Sequence, residues 1–358
     1  MIKTLNISSF KSFTSQILEL GNLTIFTGLN NSGKSSAIQA LRMCLLSGDS
    51  QGPYIHGLGG YTELRSQFSN SSEPIDLSII YDNKNETKLT ITQLGYNHSG
   101  NENKPVTQFI SADRYGPRIG LPLMGDNVDL LSVGNYGEYS AHYATLLESC
   151  LVTELLRHPG AQGNTLKHQL GWWMNEISPG VKLDFEVMKK YDLSSMAIDG
   201  LRPTNSGYGI SYALPILLCL LTMSSTIGDD SDHRVRKWFD DLKTQGAVLI
   251  IENPEAHLHP RGQTGIGKLA AMAAFSGIQV IIETHSDHVI DGIRLAAKTE
   301  QNINPKEISL NFFQKNNNET SNIEQIEVRK DGKLNRWPAG FFDQHSINLR
   351  SLAGSING

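Results

Sequence analysis

Apolar positions along the chain follow two periods, and their alternation outlines an architecture. Leu23 to Thr27, Ala247 to Ile251 and Ile278 to Glu283 are short, largely apolar runs rich in β-branched residues. Such runs predict strands buried on both faces, as in a parallel sheet with crossovers. Leu5 and Ile7 alternate with polar neighbours, and Ile17 to Leu20 reads as a second short strand. Ile75 to Tyr81 and Lys88 to Leu94 predict a hairpin about Asp82 to Glu86; Gly95 to Pro105, rich in Asn, Gly and Ser, reads as a loop. Thr107 to Ser111 adds a strand, and Ile308 to Gln314 with Ile323 to Arg329 predicts a late hairpin.

Between these runs the spacing changes to three and four. Ala37, Ile38, Leu41, Cys44 and Leu45 share one helical face; Glu138 to Leu156, Leu166 to Ile177, Gln263 to Phe275 and the stretch up to Ala297 repeat the pattern. A further helix is expected around Trp238, and another over Tyr212 to Met223, with Pro215 in or just past its first turn. Gly228 to His233 reads as a flexible acidic stretch and Gly354 to Gly358 as a loose end. Strands alternating with helices predict an α/β fold, with an antiparallel β subdomain near the N-terminus and a helical insertion over 120–200. Trp172 and Trp173 lie in that insertion and read as packing rather than as a base-stacking platform, since at least one ring falls on the apolar face.

The first buried strand runs into Gly28-Leu-Asn-Asn-Ser-Gly33-Lys34-Ser35-Ser36, and a helix follows at once. That is the phosphate-loop pattern in the strand–loop–helix setting it requires. Backbone N–H groups over Asn30, Asn31, Ser32, Gly33 and Ser36, with the helix N-terminus, would face phosphate oxygens. Lys34 would reach the β- and γ-phosphates of ATP, and Ser35 would hold Mg²⁺ through its hydroxyl.

Such a loop needs a carboxylate at the end of a buried strand for the cation and a group that orients the attacking water. The strand Val248 to Ile251 ends in Glu252, which is assigned to Mg²⁺; Glu255 and His285 are the further catalytic candidates. His285 ends a second apolar strand and suits a sensor of the γ-phosphate. Upstream, Asn205-Ser206-Gly207-Tyr-Gly209-Ile-Ser211 precedes an apolar helix, and its small residues would let backbone approach a phosphate.

Composition narrows the setting. With 358 residues, 39% hydrophobic and 19% charged, the chain is long enough for one large domain or two ordinary ones. A net charge of −5 gives no global basic field to draw it to nucleic acid or membrane. Cys44, Cys150 and Cys219 are far apart among apolar neighbours, which suits buried thiols in a reducing compartment. The N-terminal residues lack a secretory pattern, and Leu214 to Met223, the longest apolar run, is too short to span a bilayer. The expected location is the cytoplasm.

Together the segments Phe10-Lys-Ser-Phe13, Gly28 to Ser36, Asn205 to Ser211, Glu252 to Pro260 and Glu283-Thr-His-Ser-Asp287 resemble the P-loop heads, of the ATP-binding-cassette (ABC) type, of the SMC, RecF and OLD (overcoming lysogenization defect) ATPases. Trp337 to Asp343 is similar to an element of a C-terminal domain of unknown function found in related bacterial AAA-type ATPases. The resemblance implies a head split into 1–119 and 201–300, with a hairpin and tail over 301–358. It also implies a homodimer that sandwiches two ATP molecules, so that Ser206, Gly207 and Gly209 of one protomer face the phosphate loop of the other. Such heads carry Asp-Glu after the second strand, whereas this chain has Glu252-Asn253. The usual catalytic carboxylate is therefore an amide. Either Glu252 or Glu255 serves the water, or hydrolysis is slow and ATP acts mainly as dimer glue. The implied function is an ATPase head that switches a partner effector or nuclease, on DNA or RNA, in anti-phage defence or DNA maintenance. A self-contained nuclease is the alternative, and a transporter ATPase subunit fits less well.

Overall fold

The computed structural model describes residues 1–48, 52–100, 103–125, 130–228, 232–316 and 319–354. In chain order the N-terminal part contains β1 (Ile2–Phe10), β2 (Phe13–Glu19), β3 (Leu23–Gly28), α1 (Lys34–Leu46), a single turn α2 (Tyr61–Leu64), β4 (Ile75–Tyr81), β5 (Glu86–Thr92), β6 (Gly95–Gly100) and β7 (Val106–Ile110). Next come β8 (Leu121–Pro122), α3 (Ser140–Leu146), α4 (Leu166–Ile177), β9 (Leu183–Met188) and β10 (Leu193–Ile198). The C-terminal part contains α5 (Tyr208–Thr222), α6 (His233–Gln245), β11 (Ala247–Glu252), α7 (Pro260–Ala274), β12 (Gln279–Glu283), α8 (Asp287–Thr299), β13 (Ile308–Lys315), β14 (Ser321–Ile326) and α9 (Gln344–Gly354).

The central sheet has the order β14-β13-β3-β12-β11-β7, with β14 antiparallel to β13 and the other pairings parallel. Its pleat sends alternate residues to opposite cores. Val248 and Ile250 join Phe26, Ile281 and Phe313 in a core shared with α1 and the antiparallel sheet β2-β1-β4-β5-β6. Ala247, Leu249 and Ile251 join Ile25, Val280 and Ile282 in a second core with α4 to α8. Helix α1 lies between two sheets, which is why it buries Ala40 and Met43 beyond the expected stripe. Among the described residues no helix is long and apolar enough to cross a membrane.

Several local expectations are corrected. The loop expected over Gly95 to Pro105 contains β6, an exposed edge strand whose weak sequence propensity is overridden by pairing with β5. The helix expected over Glu138 to Leu156 stops at Leu146. Cys150, Val152 and Leu156 still reach the core, but from an irregular segment where Leu151 bridges Thr165 and Thr226. The 120–200 segment keeps α3 and α4 but also builds a small sheet, β8-β10-β9, and Met196 and Ile198 of that sheet join the second core. Helix α5 begins at Tyr208, so Pro215 lies in its interior rather than near its first turn. The acidic stretch after Gly228 and the residues after Gly354 fall largely outside the described residues.

Other expectations stand. All three cysteines are free and buried. Trp173 is buried and donates Nε1–H to the Leu156 carbonyl at 2.8 Å, while Trp172 stays exposed and stacks on His158. The Trp337 to Asp343 element is a packing plug: Phe341 is buried against Phe312, with Trp337 and Phe342 around it and the Arg294 guanidinium over Trp337.

Candidate nucleotide site

The site lies at the carboxyl ends of β3, β12 and β11, the edge where parallel sheets gather ligands. After β3 the backbone turns through Asn31 (φ 60°) and Gly33 (φ 107°), both left-handed. A Cβ at Gly33 would stand 2.3 Å from Ser321 Oγ, so both conformation and space demand glycine. Ser321 Oγ donates to the Ser32 carbonyl at 2.7 Å, which ties the β13–β14 hairpin to the loop.

Lys34 opens α1 and is only 3% exposed. Its ammonium folds back on the carbonyls of Gly28 (3.0 Å) and Leu29 (2.8 Å). Burial lowers its pKa, and Glu283 and Glu255 oppose that shift. Ser35 Oγ lies 3.1 Å from each carboxylate oxygen of Glu283. Burial and the like charge of Glu252 push the Glu283 carboxyl up to about 7, with Lys34 and Ser35 opposing.

Glu252, in register with Glu283 on the next strand, takes a different set of partners. Its Oε2 accepts the Ala112 N–H at 3.2 Å; burial raises its pKa, while Arg42 and Arg114 pull it back. Arg114 is 2% exposed and forks its guanidinium onto the carbonyls of Ser111 (2.9 Å), Glu252 (2.7 Å) and Asn253 (2.7 Å). Burial lowers the Arg114 pKa to about 10. Asn253 adopts a left-handed φ of 44°, which Asn tolerates better than most residues, and its N–H bonds the Glu283 carbonyl at 2.8 Å. Glu255 accepts from Thr284 Oγ1 and from the His285 N–H, each at 2.7 Å. Burial and nearby Lys34 hold the His285 imidazole below its ordinary pKa, against Glu255.

Thus Lys34, Ser35, Glu252, Glu255 and His285 converge at one sheet edge. The Asn205 to Ser211 segment is placed differently. Gly207 caps α5 with open space around it, and Tyr208 is 54% exposed. Among the described residues no hydrogen bond joins Ser206 or Gly207 to the phosphate loop. Gly209 faces inward: a Cβ there would meet the His257 carbonyl at 2.9 Å. The motif from His257 to Pro260 is structural, with His257 against Tyr208 and Tyr212, His259 capping α7 and Pro260 opening it. Glu283 and Arg114 also enter the site, though the sequence assigns neither a role. Glu283 carried the same signal as Glu252, a charge ending an apolar strand. Arg114 carried none, because its role is to brace backbone carbonyls across strands.

The donors fit Mg·ATP. An ammonium and a helix N-terminus suit phosphate, while a hydroxyl with carboxylates suits a hard divalent cation. Among the described residues no group of three or more His, Cys, Asp or Glu could hold a metal ion. The nucleotide's phosphates would therefore have to complete the cation's shell.

Comparison with known proteins agrees with these motifs. Residues 4–118 match the family described as "AAA domain" and residues 177–290 the "AAA ATPase domain". Residues 303–352 match "Protein of unknown function (DUF3696)". No curated protein matches the chain. Solved structures similar to it include an SMC head bound to the C-terminal winged-helix domain of ScpA, with 12% identity, TM-score 0.49, and 92% of this chain and 98% of that chain covered. The SMC head domain of Thermotoga maritima gives 14% identity, TM-score 0.45 and coverages of 91% and 99%. The recombination mediator RecF bound to ATP gives 13%, 0.45, 91% and 99%. The phosphate loop and the strand-end carboxylates thus lie in two segments that match AAA-type ATPase families, and the C-terminal segment matches DUF3696.

Proposed function

We propose that this head binds Mg·ATP, closes on a second copy around it, hydrolyses it slowly, and thereby switches a partner. One observation carries this reading. The phosphate loop has its lysine, hydroxyl and carboxylates gathered within one chain, while Gly207 before α5 stands exposed with open space beside it, next to a half-buried Ser206. A second copy would bring that exposed helix N-terminus to the γ-phosphate. In this scheme Lys34 and the loop N–H groups hold the phosphates, Ser35 holds the cation, Glu255 takes the water's proton, and His285 senses the γ-phosphate. Asn253 carries an amide, which cannot serve as a base, and so slow turnover is expected. The partner is proposed to be an effector such as a nuclease, acting in the cytoplasm on DNA or RNA, in anti-phage defence or DNA maintenance. The motif resemblance is the support for that wider role.

Light scattering with a non-hydrolysable ATP analogue tests the closure. Wild type should dimerise on adding Mg²⁺ and analogue, and Ser206→Arg should stay monomeric while binding nucleotide normally. An analogue-dependent dimer that survives Ser206→Arg would overturn the reading.

A further inference from the structure

Ser35 and the two strand-end glutamates raise a question of which carboxylate meets the cation. Strands β3, β12 and β11 are neighbours in that order, so Glu283 ends the strand next to the phosphate loop and Glu252 ends the one beyond. Neighbouring strands lie about 4.8 Å apart, which places the Glu252 backbone roughly twice as far from the loop strand. The side chains enlarge that difference. Both oxygens of Glu283 lie 3.1 Å from Ser35 Oγ. Glu252 turns to the other side, where Oε2 accepts from Ala112, the residue after the Ser111 carbonyl that Arg114 also holds.

We propose that Glu283, rather than Glu252, is the carboxylate that meets the divalent cation held by Ser35. The assignment rests on the Mg·ATP reading above and deepens it. A cation bound to Ser35 Oγ takes the place of the hydroxyl's bond to Glu283, leaving that carboxylate beside a divalent charge. Glu283 is 5% exposed with Glu252 and Glu255 as like-charged neighbours, an arrangement that burial alone makes costly and a cation relieves. Glu252 then serves the Ala112 and arginine side of the site and holds the turn in shape.

Glu283→Gln is the informative change, because Gln still accepts from Ser35 Oγ and loses only the charge. Calorimetry would follow ATP binding to wild type, Glu283→Gln and Glu252→Gln across a Mg²⁺ titration and in EDTA. Electron paramagnetic resonance would follow Mn²⁺ binding with ADP. Glu283→Gln should need at least ~10-fold more Mg²⁺ for the same ATP affinity and weaken Mn²⁺·ADP similarly, yet bind ATP in EDTA as well as wild type. Glu252→Gln should change the Mg²⁺ requirement less. A Glu283→Gln protein that titrates with Mg²⁺ like wild type would overturn this assignment alone. A wild type that binds no ATP with or without Mg²⁺ would overturn both it and the nucleotide reading.

Discussion

The two halves of the proposed site are built in opposite ways. Around the phosphate loop the candidate side chains have partners within the chain: Lys34 on two carbonyls, Ser35 on Glu283, Glu252 on Ala112, Glu255 on Thr284 and His285. Before α5, Gly207 offers a helix N-terminus with open space where a side chain would stand. These bonds hold the first half in place by its own chain, although Thr27 Oγ1, Arg114 Nε and Asn253 Oδ1 there have no hydrogen-bond partner among the described residues. An exposed helix end costs little in water, and so the second half can wait for a ligand brought by another molecule. The contrast teaches that binding and completion of the site are separable, and variants can separate them.

The sharpest break lies in turnover. Glu255→Gln should lower hydrolysis ~10²–10⁴-fold, the usual cost of losing a general base, while ATP still binds and holds the closed dimer. His285→Ala should behave alike. Single-turnover assays would check both; undiminished hydrolysis by Glu255→Gln would move the base to Glu252. Next in size is binding. Lys34→Ala removes a buried ammonium from the phosphates and should weaken ATP on the order of 10²-fold, as read by calorimetry, with urea unfolding cooperative as before. Unchanged affinity would remove the loop from the site.

A smaller effect compares two glycines of the exposed half. Gly209→Ala places a methyl 2.9 Å from the His257 carbonyl and should destabilise the fold by about 1–3 kcal/mol. Gly207→Ala meets nothing within 4 Å and should leave urea unfolding unchanged, yet hinder dimer closure if a phosphate must approach there. Equal stabilities for the two variants would contradict the inward role of Gly209.

Legibility in the sequence divides along similar lines. The buried strands β3, β11 and β12 were readable because their runs admit one burial pattern, and the phosphate loop because its glycines, lysine and serine sit at fixed spacing. Residues whose meaning depends on a distant neighbour were not. Glu283 gains its meaning from Ser35, 248 positions earlier. Arg114 gains its own from the Glu252 and Asn253 carbonyls. Gly209, expected to face a nucleotide, also leaves room for the turn at His257, which no sequence spacing shows. The strand β6 was hidden because its Gly, Asn, His and Ser residues pair through backbone alone. Apolar spacing also misled between Leu146 and Leu156, where a turn, a bridging stretch and a short 3-10 turn over Glu154–Leu156 supply buried residues at intervals that suit a helix.

Mixing two inactive variants would show whether one protomer completes the other's site. Lys34→Ala spoils the loop half and Ser206→Arg the exposed half, so a mixed dimer contains one site built from two intact halves. If the halves meet across two copies, an equimolar mixture should regain about a quarter of wild-type ATP hydrolysis, since half the dimers are mixed and each holds one sound site of two. Hydrolysis no greater than that of either variant alone would contradict a site shared between protomers.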